Sequence, residues 1–163
     1  MKTFLLSFSG VMSAVFLVGC GQKLPDGMPP LYPLTLTVTQ QDEPFPDASV
    51  SLVASDSTRK WTCGGMTEAD GTLVVFTHGK YRGVPADKYK VTVDCVISEP
   101  PRPKNATMEE LDAHARNSKS FRIVPLEYTD RATTHLEIEV VKGTNRLKID
   151  VPEKVKISMG GAP

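Results

Sequence analysis

Leu34-Thr35-Leu36-Thr37-Val38-Thr39 decides the fold class. Apolar and hydroxyl side chains alternate without a break, the signature of a strand with one face buried. Valine and threonine are also residues that favour strands.

The same rhythm continues downstream. Residues 40–47 form a turn with two prolines. Ala48, Val50, Leu52 and Ala54 then alternate with Ser49, Ser51 and Ser55, a second strand. Residues 60–63 predict a short third strand, ended by Gly64-Gly65. Glu68-Ala69-Asp70-Gly71 reads as a tight turn, with glycine free to take positive φ. Residues 72–77 are apolar on both faces, Leu73 and Val75 against Val74 and Phe76, and predict a strand covered on both sides. Residues 88–97 are the clearest strand, with Tyr89, Val91, Val93 and Cys95 on one face.

Residues 99–120 interrupt the pattern. Glu99-Pro100-Pro101-Arg102-Pro103 cannot continue a central strand. Thr107 with Glu110 makes a capping box, which predicts a helix over residues 108–116. Its apolar stripe is only Met108, Leu111 and Ala115, so weak packing is expected. Glu109, Glu110 and Asp112 favour the positive end of that helix and read as a solvated face.

Two last strands, residues 136–141 and 146–151, carry Leu136, Ile138 and Val140, then Leu147, Ile149 and Val151. They read as a hairpin in one of two registers. A Gly143-Thr144 loop suits a type II′ turn, and a Lys142-Gly143 loop would set Glu137 against Lys148 and Glu139 against Arg146. The turn chemistry is the stronger argument. The expectation is an all-β chain: an antiparallel β-sandwich of seven to eight strands over residues 34–151, with one short helical insertion at residues 99–120 and a flexible tail at 152–163.

Upstream of the strands the chain has a different character. Met1-Lys2 precedes an apolar run from Phe4 to Val18, too short to span a bilayer comfortably at the required 20 or so residues. Leu17-Val18-Gly19-Cys20 resembles the lipobox of bacterial lipoproteins. That resemblance implies removal of residues 1–19 as a signal peptide and acylation of Cys20, which would then hold the protein on a membrane. Gly21 follows the cysteine where an inner-membrane lipoprotein would carry Asp, which points to the outer membrane of a bacterial envelope. Residues 20–33, with four prolines, make a semi-extended tether.

With 19 basic and 19 acidic residues the formal net charge is zero, and no basic cluster points to nucleic acid. With Cys20 set aside for lipid, Cys63 and Cys95 remain, both on inward faces of their strands. Two readings stand. A disulfide would close a loop of about 33 residues and stabilise by roughly 3–4 kcal/mol, and it is the favoured reading. The other is two separate buried thiols. No CxxC or paired histidine accompanies them for a metal.

Pro46-Asp47-Ala48-Ser49-Val50-Ser51-Leu52, Gly65-Met66-Thr67-Glu68-Ala69-Asp70-Gly71 and Gly83-Val84-Pro85-Ala86-Asp87-Lys88-Tyr89-Lys90-Val91 together resemble the carboxypeptidase regulatory-like, transthyretin-like (prealbumin-like) β-sandwich. The resemblance extends over roughly residues 34–151. Pro44 and Asp87 depart from it where glycine is usual, both in turns. It implies a structural or interaction module, with an envelope protein as partner; the alternative is a carbohydrate- or small-ligand-binding lipoprotein using the loops at one end.

Nothing in the pattern assigns a catalytic residue, metal or cofactor. Tyr81-Arg82-Gly83-Val84 shares three residues with the Tyr-Arg-Gly-Ser ending of a transthyretin-like hydrolase branch, but stands mid-chain and lacks the serine. His78, His114 and His135 are scattered, and no serine sits in a nucleophile elbow. Trp61 alternates with Cys63 and reads as a core residue before a sugar platform.

Overall fold

A computed structural model describes residues 23–55 and 61–160. Cys20 and the leader lie outside the described residues. The chain is mostly β, with one α-helix among the described residues.

The strands are β1 (Leu31–Tyr32), β2 (Leu34–Gln40), β3 (Glu43–Pro44), β4 (Ser49–Ala54), β5 (Cys63–Met66), β6 (Thr72–Val74), β7 (Phe76–Thr77), β8 (Tyr81–Arg82), β9 (Val84–Pro85), β10 (Asp87–Asp94) and β11 (Val96–Glu99). Helix α1 (Met108–Asn117) follows, then β12 (Lys119–Arg122), β13 (Glu137–Val140), β14 (Asn145–Val151) and β15 (Ile157–Ser158). One sheet has the order β13-β10-β4-β5-β7-β8; a second runs β14-β2-β3, with β6 also on β2; a third is β11-β12-β15.

The alternating side chains meet in one core. Leu34, Leu36 and Val38 from β2 join Val50 and Leu52 from β4, Val91 and Val93 from β10, and Val140 and Val151, all essentially excluded from solvent. Each such burial is worth roughly 1.5–3 kcal/mol. Tyr89 enters the same core and donates its hydroxyl to the Pro85 carbonyl at 2.8 Å, so its one polar atom is satisfied.

Residues 72–77 are apolar on both faces because they change sheets. β6 pairs with β2 and β7 with β5, while Val75 between them donates its N–H to the Leu34 carbonyl at 3.0 Å. The expected third strand begins later than the pattern predicts. Gly64 and Gly65 lie inside β5 rather than ending it, and a Cβ on Gly64 would collide with the Val50 carbonyl. The long strand of residues 88–97 divides at Cys95, β10 staying in the body and β11 leaving for the third sheet.

The C-terminal hairpin does not form. β13 pairs antiparallel with β10, whereas β14 lies parallel to β2 through seven pairs from Asn145↔Leu34 to Val151↔Gln40. Side-chain alternation is the same in either arrangement, so it could not name the partner. Asn145 makes the difference. Its buried side chain donates to the carbonyls of Val141 at 2.9 Å and Gly143 at 3.0 Å and accepts from the Val141 N–H at 3.0 Å. That knot turns residues 141–144 into a crossing between sheets. The tail expected after Val151 is joined as well, since β15 pairs with β12 at Phe121↔Ser158 and Arg122↔Ile157. The last tether residues, Leu31 and Tyr32, pair with β9.

The disulfide expected between Cys63 and Cys95 is absent, and both thiols are free and buried. Cys63 lies opposite Leu52, while Cys95 follows Asp94, the partner of Ser49. β5 and β10 flank β4 on opposite sides. The offset along β4 is roughly 10–13 Å at about 3.3 Å per residue, and a disulfide needs Cα atoms within about 7 Å. Both side chains do face inward; they face different parts of the core.

Candidate functional site

The strand registers give the body two distinct ends. At the near end Leu31 meets Pro85, Leu34 meets Asn145 and Asp87 meets Val140. At the far end Gln40 meets Val151 and Ser49 meets Asp94. The incoming chain reaches the core at the near end. Past the far end, β11, β12, β15 and α1 extend the structure further.

Between α1 and the third sheet lies a groove of about 810 Å³. Val96 and Ser98 line its sheet side together with Ser120, the register partner of Ser98, and Met159, whose N–H donates to the Ser120 carbonyl at 2.9 Å. The helix side is the stripe read from the sequence, Met108, Leu111 and Ala115. The stripe covers the groove without filling it, and no α1 residue is buried. Met108 is 74% exposed, Val96 47% and Met159 41%, an apolar lining open to solvent.

With Leu111, Ala113 and His114 no more than half-buried, α1 packs loosely and local chemistry fixes its start. The Thr107 hydroxyl accepts from the Glu110 N–H at 3.3 Å, and the Glu110 carboxylate accepts from the Thr107 N–H at 2.8 Å. Donation to the Glu110 carboxylate, from the Thr107 N–H foremost and also from the Thr107 hydroxyl at 3.0 Å, keeps that carboxyl below its ordinary range. Glu110 is therefore a capping residue, and Asp112 alone of the acidic trio lines the groove. His114 Nε2 lies 2.9 Å from the Pro100 carbonyl and ties the helix to the proline segment before it.

A smaller cleft of about 240 Å³ opens at the far end of the body, where β11 departs. Phe45, Cys95, Ile97 and Ile123 give it apolar walls, and Glu43, Asp47 and Lys154 are among its polar lining. Burial pushes the Cys95 thiol up to about 11, with the negative charges of Asp47 and Asp94 adding to the effect. Cys63 is raised as well, by burial, against the opposing effect of its hydrogen bond with Thr77, 3.4 Å away. Both thiols thus stay protonated near neutral pH and are poor nucleophiles.

The histidines are not brought together. His78 packs edge-on against Trp61, ring centroids 5.6 Å apart; His114 sits on α1 and His135 is exposed before β13. Among the described residues no group of three or more His, Cys, Asp or Glu is placed to hold a metal. Trp61 is half-buried against the core, and every aromatic side chain among the described residues is buried or half-buried. Tyr81 and Arg82 form β8, and Gly83, at φ +100°, passes so close to Tyr32 that a Cβ would lie 2.7 Å from its carbonyl oxygen. That stretch has a structural use.

The sheet side of the groove was not legible in the sequence. Val96 sits on a strand that reads as an extension of β10, and Met159 lies in a segment that reads as a loose tail. No comparison with known proteins finds a match: no family model, no curated protein and no solved structure matches the chain.

Proposed function

We propose that this chain is a lipid-anchored, non-catalytic module of a bacterial envelope, held by acyl chains on Cys20, which presents the α1 groove to a protein partner. The opposite placement of two features carries the reading. The chain reaches the core at the near end, and the apolar groove opens beyond the far end. A module tethered at one end and apolar at the other is arranged to meet something away from the membrane. Two or more acyl chains give the durable hold that one chain does not.

Two sheets sharing one apolar core support the finer fold reading, a transthyretin-like β-sandwich of seven to eight principal strands. The parallel β14–β2 pair is a departure from a wholly antiparallel design. Gly21 after Cys20 supports the outer membrane as the site of anchoring.

The second reading, a carbohydrate- or small-ligand-binding lipoprotein, draws on the far-end cleft with its apolar walls and charged rim. The lack of an exposed aromatic among the described residues favours a protein partner over a sugar. A photo-crosslinker at Met108, compared with one at Ser51 on the body, tests the choice in the native envelope. A discrete adduct from Met108 alone is expected, and a reproducible hit on a glycan array would move the function to the second reading.

A further inference from the structure

We infer that the near end of the body is a docking surface for an anionic phospholipid bilayer, so that the domain stands on the membrane with its groove pointing away. The inference rests on the lipid-anchor reading above.

The argument starts from reach. Ten residues lie between Cys20 and Leu31, where β1 begins, so even a fully extended tether spans at most about 40 Å. The tether is shorter than that, because residues 25–28 form a turn in which the Met28 N–H donates to the Pro25 carbonyl at 3.1 Å. An anchor on Cys20 therefore holds the near end, where β1 and β2 begin, close to the lipid.

Charge is divided along the same axis. The near end carries exposed Lys142 in the sheet-crossing loop, exposed Arg146 at the start of β14 and exposed Lys88 at the start of β10, with Lys23 on the incoming chain. Among these described residues, Glu139 faces Lys88 in the ladder and Asp26 and Asp87 offset two more of the four, which leaves an excess of one positive charge, centred on Lys142 and Arg146. Val141, next to Lys142, is 55% exposed, an apolar residue on the same loop. The far end of the body has the opposite sign. Asp42, Glu43, Asp47, Glu68, Asp70 and Glu153 gather around its loops, answered there mainly by Lys148 and Lys154. An anionic surface attracts one end of this dipole and repels the other, within about a Debye length of 8–10 Å. The charge pattern thus selects an orientation that a flexible tether alone would leave free.

Energy transfer from a dye on the mature chain to a headgroup-labelled lipid reads that orientation. Dyes are placed at Thr144→Cys on the near end and, separately, at Lys104→Cys beside α1; the buried Cys63 and Cys95 remain unlabelled. When phosphatidylglycerol replaces a third of the phosphatidylcholine in the vesicles, transfer from position 144 should rise about twofold, and transfer from position 104 should not. Lys142→Glu with Arg146→Glu, or salt raised to about 1 M, should remove the rise. Equal transfer in both lipids, or a rise that survives charge reversal, overturns the docking surface. The mass of the same preparation reports acylation of Cys20 separately. An unacylated chain would sink the anchor reading, while the lipid dependence at position 144 still decides the rim.

Discussion

Arg122 grips Asp94 at two points, Nε to Oδ1 at 2.7 Å and Nη2 to Oδ2 at 3.0 Å. Asp94 is the last residue of β10 and Arg122 the last of β12, so this fork joins the body to the third sheet where the chain leaves at Cys95. The Asp94 hydrogen bonds raise the Arg122 guanidinium above its ordinary value. Planar two-point geometry makes this pair more directional than an exposed lysine pair.

Arg122→Gln should therefore loosen the third sheet more than it destabilises the whole. Both partners are partly open to solvent, so a loss of about 1 kcal/mol or less is expected. Hydrogen exchange should accelerate at Ile97 and Phe121, with little change at Val91 and Leu36. A uniform acceleration across all four would show that the pair has no local role.

The two thiols make a chemical prediction. A native thiol titration should find both Cys63 and Cys95 slow to react, and two reduced thiols should appear on unfolding. A mature domain with no thiol after unfolding would restore the disulfide. The pH dependence follows from the direction of the shift. Cys95 is raised from 9.0 to about 11, so the folded state holds its proton where the unfolded chain has released it. That contribution is complete below pH 9 and is lost as pH climbs through 11. Urea midpoints should fall over this interval, and Cys95→Ala should flatten part of the fall.

Asn145 predicts an unusual ranking. Its amide donates to the carbonyls of Val141 and Gly143 and accepts from the Val141 N–H, all near 3 Å, in a buried setting. Asn145→Ala strands these groups and should cost about 2–3 kcal/mol. Asn145→Asp keeps the acceptor but turns the donor into a second oxygen facing carbonyls. It should be worse than alanine despite its closer shape, which a pair of chemical denaturation curves will show.

These positions mark where the fold could and could not be read from the sequence. Period-two patterning identified β2, β4 and β10 and the face each buries, because pleating ties alternation to burial. Patterning is silent on partners. Ile149 and Val151 face inward equally well in a hairpin or in the parallel ladder with β2, and the choice falls to Asn145, whose bonds to Val141 and Gly143 no alternation reveals. The same limit explains the cysteines, whose inward faces were legible and whose offset along β4 was not. Gly64-Gly65 reads as a strand stop when the crowding carbonyl of Val50 is unknown. At the candidate site the helix side was legible, since the cap and the stripe are local. The sheet side was not, because Val96 and Met159 meet only through pairings made across the chain.

The helix itself gives the sharpest separation of local from global stability. α1 buries no residue, so its order depends on the Thr107–Glu110 box and the His114 contact with Pro100. Thr107→Ala should cost the helix about 1 kcal/mol, the usual loss for an N-cap. Because the core of the body does not include α1, the denaturation midpoint read from Tyr89 or Trp61 should stay unchanged while helical circular dichroism falls. Acid should reproduce the effect. The Glu110 carboxyl lies below its ordinary 4.5 when folded, so its contribution is complete above that value and is lost as pH falls through the lower folded one. A helix signal that melts only with the core, in either experiment, would mean that α1 is held by packing rather than by its cap.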